Sequence, residues 1–382
     1  MKLINKTDFI VEKLLKEGKI TMEVLLSGRV KFKHLKSLLL KLFEMIVSRY
    51  TARDLLSRYN MSRFVHPCRL NQREMLKFDS LIYQVVPDKF EAVELSLVNP
   101  LGTNSILTSV SQKNVLSTIR GIEVIGDITT SLALECAERR KHLLLSNIKS
   151  NKEVNLCSSQ RVLRVQSFEE IPGFTPHFKV FGACTAGRNN ESGDFELKNL
   201  LDHTIIYLDL LSILNENGYS LKDIIVSFSD IKILETLIDN CGIDRAELIE
   251  NIQITSFDMI KRYNINLPSR IGSIDDIPPE SIKQYDLAMS IKFLKNIQQK
   301  TIEKLKKKYP NAQFQFDLAR INGIGYYTDL CFKITAKNKE GKRFPLVDGG
   351  IVDWTQKLLN NNKERLFTSG FGSELFCRNF KR

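Results

Sequence analysis

Short stretches that alternate apolar and polar residues recur along this chain at long, irregular intervals. That uneven spacing constrains its fold more than any other feature. The run Phe90-Glu91-Ala92-Val93-Glu94-Leu95-Ser96-Leu97-Val98 alternates as a half-buried strand requires, and Pro100 stops it. Further strands are predicted over 161–166 and 177–185, around the turn Pro172-Gly173-Phe174-Thr175-Pro176, and over 224–228, 313–319, 326–335 and 366–370, with a hairpin at 338–341. Between them the apolar period becomes three and four. Helices are predicted over 71–86, 129–147, 194–217, 230–239, 245–251 and 279–308, with a short helix at the end. Regular βαβ units would space strands evenly, so these gaps predict an α+β fold with a mixed, mostly antiparallel sheet flanked by helices.

Residues 1–60 read as helical throughout, with stripes at Phe9, Ile10, Leu14 and Leu15, then at Leu35, Leu38, Leu39, Leu42, Phe43 and Ile46. This segment holds 13 Lys and Arg against 6 Asp and Glu, an excess of +7 within a chain whose formal charge is +12. Such a balance favours polyanionic partners, tRNA or another nucleic acid, although a solvated basic helical face would read the same way. The 382 residues, 43% of them apolar, suffice for a sizeable core. No run of eighteen apolar residues occurs, and the charged start lacks the apolar stretch of a secretion signal, so a cytoplasmic protein without a membrane span is expected. Cysteines at 68, 136, 157, 184, 241, 331 and 377 form no CxxC pair, and the five histidines form no HExxH or HxxxH pair. That argues against a disulfide framework or a metal site.

Four segments, in order, resemble the class II aminoacyl-tRNA synthetase core, and specifically its histidyl type, over about 75–382. The helix and strand ending at Pro100 resemble motif 1, which implies a homodimer interface there. Val162-Leu163-Arg164-Val165-Gln166 and His177-Phe178-Lys179-Val180-Phe181 resemble the two strands of motif 2. A guanidinium there can grip an α-phosphate and an aromatic ring can stack on adenine, so the resemblance implies nucleotide contacts at Arg164, Gln166, His177 and Phe181, with Arg164 catalytic. Gln166 stands where the family has glutamate. Arg320-Ile321-Asn322-Gly323-Ile324-Gly325-Tyr326-Tyr327-Thr328 resembles the histidyl signature Arg-Gly-Leu-Asp-Tyr-Tyr-Thr, but with Asn322 at the arginine and Gly325 at the aspartate. Gly349-Gly350-Ile351-Val352-Asp353 stands where that family has Gly-Gly-Arg-Tyr-Asp. Gly370-Phe371-Gly372-Ser373-Glu374-Leu375 resembles motif 3, with leucine for the γ-phosphate arginine; Arg378 lies on a neighbouring helix face.

Gly126-Asp127-Ile128-Thr129-Thr130 resembles the loop that contacts the amino acid, although Asp127 could equally cap the following helix. The residues implied for substrate are Glu123, Asp127, Thr129, Tyr326, Tyr327, Gly349 and Gly350; those for nucleotide are Arg164, Gln166, His177, Phe181, Gly370, Gly372, Glu374 and Arg378. Arg120, Arg139, Arg140, Arg188 and Glu135 are further charged candidates nearby. The family's histidine-recognising Gln and Glu align with Ala183 and Gly187, which disfavours histidine as the ligand. The organisation implied is a basic helical extension at 1–70 and a class II core at 71–382, with a helical insertion at about 230–308 and no anticodon-binding domain after motif 3.

Three readings follow. The first is ATP- and Mg²⁺-dependent activation of an amino acid or other carboxylate as an acyl-adenylate, without standard tRNA charging. The second is a non-catalytic paralogue similar to the regulatory subunit of ATP phosphoribosyltransferase. Charge-assisted contacts to phosphate are worth ~1.5–3 kcal/mol each, so losing three arginines weakens ordinary ATP use. The third is a nucleic-acid-binding accessory protein acting through 1–60.

Overall fold

A computed structural model describes residues 32–108, 110–166, 175–189, 193–251 and 257–382. The chain divides into two compact units, Met1–His66 with Ser117–Ile122, and Pro67–Leu116 with Glu123–Arg382. The stripe predicted at Phe9–Leu15 lies outside the described residues.

In the smaller unit, α1 (Phe32–Val47) and α2 (Ala52–Met61) are amphipathic helices. A reciprocal cap starts α2: the Asp54 amide donates to Thr51 Oγ1 (3.3 Å) and the Thr51 amide to Asp54 Oδ2 (2.8 Å). Leu38, Phe43, Leu55 and Leu56 are all exposed.

In the larger unit the chain runs through α3 (Gln72–Val85), β1 (Glu91–Ala92), β2 (Val98–Pro100), α4 (Thr103–Leu107), β3 (Ile122–Val124), α5 (Ile128–Ser146), β4 (Val154–Leu163) and β5 (His177–Arg188). Next come α6 (Asp194–Glu216), β6 (Lys222–Asp230), α7 (Ile231–Cys241), α8 (Arg245–Asn251), α9 (Met259–Arg262), β7 (Arg270–Ile271), α10 (Pro279–Gln284), α11 (Ala288–Ile297) and α12 (Glu303–Lys308). The chain closes with β8 (Gln313–Asp317), β9 (Leu330–Lys337), β10 (Arg343–Val352), α13 (Trp354–Leu359), β11 (Glu364–Phe371) and α14 (Ser373–Asn379). Nine strands form one sheet in the order β1-β4-β5-β11-β10-β9-β6-β8-β7. Its pairs are antiparallel except β1–β4 and β6–β8. The α+β architecture expected from the uneven spacing is the one observed.

Strand alternation divides the core into two layers. On β5, Phe181 and Ala183 join one apolar cluster with Phe78 of α3, Tyr207 of α6 and Phe376 of α14. Cys184 and Ala186 face the other way, into a cluster with Ile128 and Leu132 of α5 and Trp354 of α13. A fully buried ion pair ties α5 to β11. Arg140 Nε and Nη2 donate to Glu364 Oε2 (2.7 Å) and Oε1 (2.8 Å), and the remaining donors reach the carbonyls of Lys152 (2.6 Å) and Ser150 (3.0 Å).

Several expected elements differ. The strand over 90–98 is only β1 and β2: it follows the sheet edge briefly, the Val93 amide bonding the Cys157 carbonyl at 2.9 Å, and then leaves. Val93 and Leu95 still pack against the second core cluster, but Leu97 is 71% exposed. The strand over 161–166 is β4, which starts at Val154 and ends before Arg164; buried polar residues, Ser158 and Gln160, hide its first half in the sequence. The helix over 279–308 is broken into α10, α11 and α12, the last two joined by a π-turn at Gln298–Ile302. Tyr326–Thr328 precede β9 as a turn, and β10 supplies the second arm of the predicted hairpin.

Candidate functional site

A cavity of about 610 Å³ opens where the ends of β4, β10 and β11 meet the start of α5 and the turn before β9. Of the residues the sequence singles out, Arg164, Gln166, Asp127, Thr129, Tyr326, Tyr327, Gly370 and Gly372 line it.

Arg164 stands just past β4, its amide bonded to the Pro176 carbonyl at 2.8 Å. Its Nε donates to the Gly126 carbonyl (2.9 Å), and its guanidinium sits 5.3 Å from the Phe178 ring centroid. One cation is thereby fixed at the wall by the backbone turn that leads into α5.

Asp127 caps α5: its Oδ1 accepts from the Thr129 amide (2.9 Å) and the Thr129 hydroxyl (2.7 Å). The capping reading of this residue holds, and the capping carboxylate also lines the cavity. The Tyr326 hydroxyl lies 2.9 Å from Thr129 Oγ1 and 3.2 Å from Asp127 Oδ2. Burial, with Asp127 next, holds the Tyr326 phenol well above its ordinary range, so it stays protonated.

The neighbouring phenol points to a second carboxylate. Tyr327 donates to Asp348 Oδ1 at 2.7 Å, and Arg320 Nη2 donates to both Asp348 oxygens, at 2.8 and 3.0 Å. Arg320 also gives its Nε to the Asn322 carbonyl (2.8 Å). The Arg320 side chain is only 4% exposed, whereas Asp348 is 42% exposed and lines the cavity. Sequence reasoning missed Arg320 and Asp348. Their pairing spans 28 positions, and the available signal was an aspartate immediately before the paired glycines of β10. Gly323, at φ +103, lets the intervening turn fold over Tyr327: a Cβ there would meet the Tyr327 ring at 2.6 Å.

Other expected site residues lie elsewhere. Phe181 has no exposed surface; its ring packs against Tyr83 and Tyr207, both with centroids just over 6 Å away, on the sheet face turned from the cavity. It cannot stack on a nucleotide in the cavity. Strand alternation puts His177 on that same face, where its Nδ1 meets Arg161 Nη1 at 3.0 Å. Glu374 is 1% exposed and accepts from Arg161 (2.9 Å), the Lys179 amide (3.2 Å) and Arg378. Arg378 therefore braces its own helix and does not substitute for the missing motif 3 arginine.

Glu123, also buried, holds the start of α4: it accepts from the amides of Gly102 (2.8 Å) and Asn104 (2.9 Å) and from the side chains of Asn104 and Gln112. Burial works against its charge, but these bonds together keep the carboxyl below the ordinary range. Gly349 and Gly350 answer to sheet packing, because a Cβ on either would come within 2.6 Å of Phe332 or Cys331 on β9. Arg140 is spent on Glu364, Arg139 pairs with Glu91 and Glu135, and Arg188 bonds the Ile148 carbonyl. Arg120 belongs to the smaller unit. Among the described residues no cluster of His, Cys, Asp and Glu could hold a metal ion.

No family model matches the chain, and no curated protein matches it. Among solved structures it is similar to one described as an ATP phosphoribosyltransferase regulatory subunit/histidyl-tRNA synthetase from Bacillus halodurans. The TM-score is 0.56 at 14% identity, covering 83% of this chain and 82% of that one. It is also similar to histidyl-tRNA synthetase from Nostoc, with a TM-score of 0.58 at 17% identity, covering 84% and 76%. A histidine–tRNA ligase subunit from Alicyclobacillus acidocaldarius gives a TM-score of 0.55 at 16% identity, covering 82% and 95%. These likenesses show the fold alone, an α+β class II synthetase-like core.

Proposed function

We propose that this chain binds a small amino-group-bearing compound in the cavity and does not form an adenylate there, as a non-catalytic paralogue of histidyl-type synthetases. One observation supports this reading: Asp127, Thr129 and Tyr326 converge on the cavity, while His177, Phe181, Glu374 and Arg378, four of the eight residues expected to hold a nucleotide, do not line it; Arg164, Gln166, Gly370 and Gly372 do. Asp127, Thr129 and Tyr326 offer a fixed set of acceptors and hydroxyls to an ammonium, and Arg164 offers a guanidinium to an anion. Phe181 is core and offers no adenine shelf, and Arg378 is engaged by Glu374. A regulatory role, responding to such a ligand and acting on a partner subunit, fits this arrangement.

The described residues do not fit ATP with Mg²⁺ as in an adenylating enzyme, since among them Arg164 is the one cavity cation that would face a triphosphate. The competing reading, carboxylate activation, rests on Arg164 standing beside the Gly370–Gly372 backbone. Two measurements separate them. Calorimetric titration with amino acids should give saturable binding, and ATP–pyrophosphate exchange with Mg²⁺ and a panel of carboxylates should stay at background. Exchange above background with any carboxylate would reverse the order of the two readings.

Homodimerisation near Pro100 belongs to the same proposal. Leu97 and Ile106 flank that strand, 71% and 73% exposed, a wide apolar margin for a lone chain. Nucleic-acid binding through 1–60 stays a separate proposal, supported by the basic excess of that segment. No described helix is long and apolar enough to cross a membrane.

A further inference from the structure

We propose that Asp348 is a specificity-determining residue that selects, as the cavity's ligand, an amino acid with a second cationic group on its side chain, a diamino or guanidino acid. This inference rests on the reading of the cavity as an amino-compound site and narrows its ligand.

Placement is the first argument. Among the described residues, the ionisable side chains lining the cavity, phenols apart, are Asp127, Asp348 and Arg164. Asp348 is already paired with buried Arg320, so what it offers a ligand is not an uncompensated charge but a half-exposed carboxylate oxygen at the cavity wall. A diamino or guanidino acid carries a second donor group that can reach that oxygen while its α-ammonium meets Asp127.

Acceptor capacity is the second. A carboxylate offers about two acceptor sites on each oxygen. Among the described residues, Asp348 Oδ1 takes Arg320 and Tyr327, and Oδ2 takes Arg320 alone. Among the same residues, Asp127 Oδ1 takes the Thr129 amide and hydroxyl, and Oδ2 meets the Tyr326 hydroxyl alone. Each carboxylate thus has one oxygen anchored by two donors and one with room for another donor. Around Asp127 the protons also run short: the hydroxyls of Thr129 and Tyr326 share two protons among three close contacts. An ammonium at Oδ2 supplies the missing donor.

Orientation is the third. Tyr326 and Tyr327 are successive, with ring centroids 4.9 Å apart and planes at 71°, so their hydroxyls diverge to the two carboxylates. Arg320, buried behind Asp348, and Tyr327 act as positioning residues that hold this carboxylate toward the cavity while Asp127 is held by its helix. Asp348 keeps 42% of its side chain exposed there, which a purely structural ion pair does not need.

The test is calorimetric titration of the full chain with L-lysine, L-ornithine and L-arginine against L-norleucine, which keeps the length of lysine without its terminal charge. Binding of at least one basic amino acid about 10- to 100-fold more tightly than norleucine is expected, the value of one charge-assisted bond in a partly dry site. Asp348→Asn should erase that preference by weakening the basic amino acid far more than norleucine. Equal binding of norleucine and the best basic amino acid by the unmodified protein would overturn the inference and leave the amino-compound site standing. Absence of binding by every amino acid would remove the site itself, and this inference with it. The comparison on unmodified protein holds even if the Asp348 variant folds poorly.

Discussion

Phe181 illustrates how far a single position can be read. The sequence identifies it correctly as an aromatic residue of a motif 2-like strand, but whether it serves the site or the core depends on which face it occupies. In a strand that face changes with every residue, and pairing with β4 and β11 decides it. The same flip moves His177 away from the cavity. Residues fixed by turns instead of strands, such as Asp127 and Tyr326, were legible because a cap or a glycine turn leaves a local signature. Arg320 and Asp348 leave only a faint one, an aspartate before the paired glycines of β10, because their pairing spans 28 positions. As a core residue, Phe181→Ala should cost about 3–5 kcal/mol in a urea melt. Phe181→Leu should leave amino-acid affinity unchanged; a selective loss of affinity in a stable Phe181→Leu protein would return the ring to the site.

At the level of elements, the joint between α5 and β11 depends on one charge pair. Truncating Arg140 strands Glu364 in a site with no exposed surface, so Arg140→Ala should lose about 3–5 kcal/mol of stability. Replacing both partners with apolar residues of similar volume should recover much of it, measurable as a double-mutant cycle by denaturant unfolding.

The start of α7 carries the opposite kind of charge. Asp230 caps that helix through the Lys232 amide (3.0 Å), yet burial, with Asp329 next, pushes its carboxyl up to about 6. The unfolded chain ionises it near 3.8, so the unfolded state gives up the proton first as pH rises. Stability from this group is present below about pH 4 and is lost as pH rises through about 6. Asp230→Asn keeps the cap without the charge. It should match the unmodified protein at pH 4 and exceed it at pH 8 by up to about 3 kcal/mol in chemical denaturation. Equal stability at both pH values would show that the carboxyl is not displaced.

At the scale of the whole molecule, the α+β class and the mostly antiparallel sheet flanked by helices follow from strand spacing and motif order, and those were readable; the order of the strands in the sheet was not. The extents of β1 and β4 were not, because an edge strand gains little burial and a buried strand can be polar. A dimer formed along the margin of Leu97 and Ile106 should be concentration-dependent by sedimentation, and Ile106→Asp should shift it towards monomer with the thermal midpoint of dilute protein unchanged. A monomeric parent protein would remove that interface. The bracing of Arg161, Arg378 and the Lys179 amide onto Glu374 also bears on what this molecule can become. Placing arginine at Leu375 would restore a motif's spelling, yet the glutamate beside it now serves as a strut and the ring at 181 as filling. On the reading proposed above, a gain of nucleotide chemistry would need several simultaneous changes, so that use of the cavity would be hard to reverse.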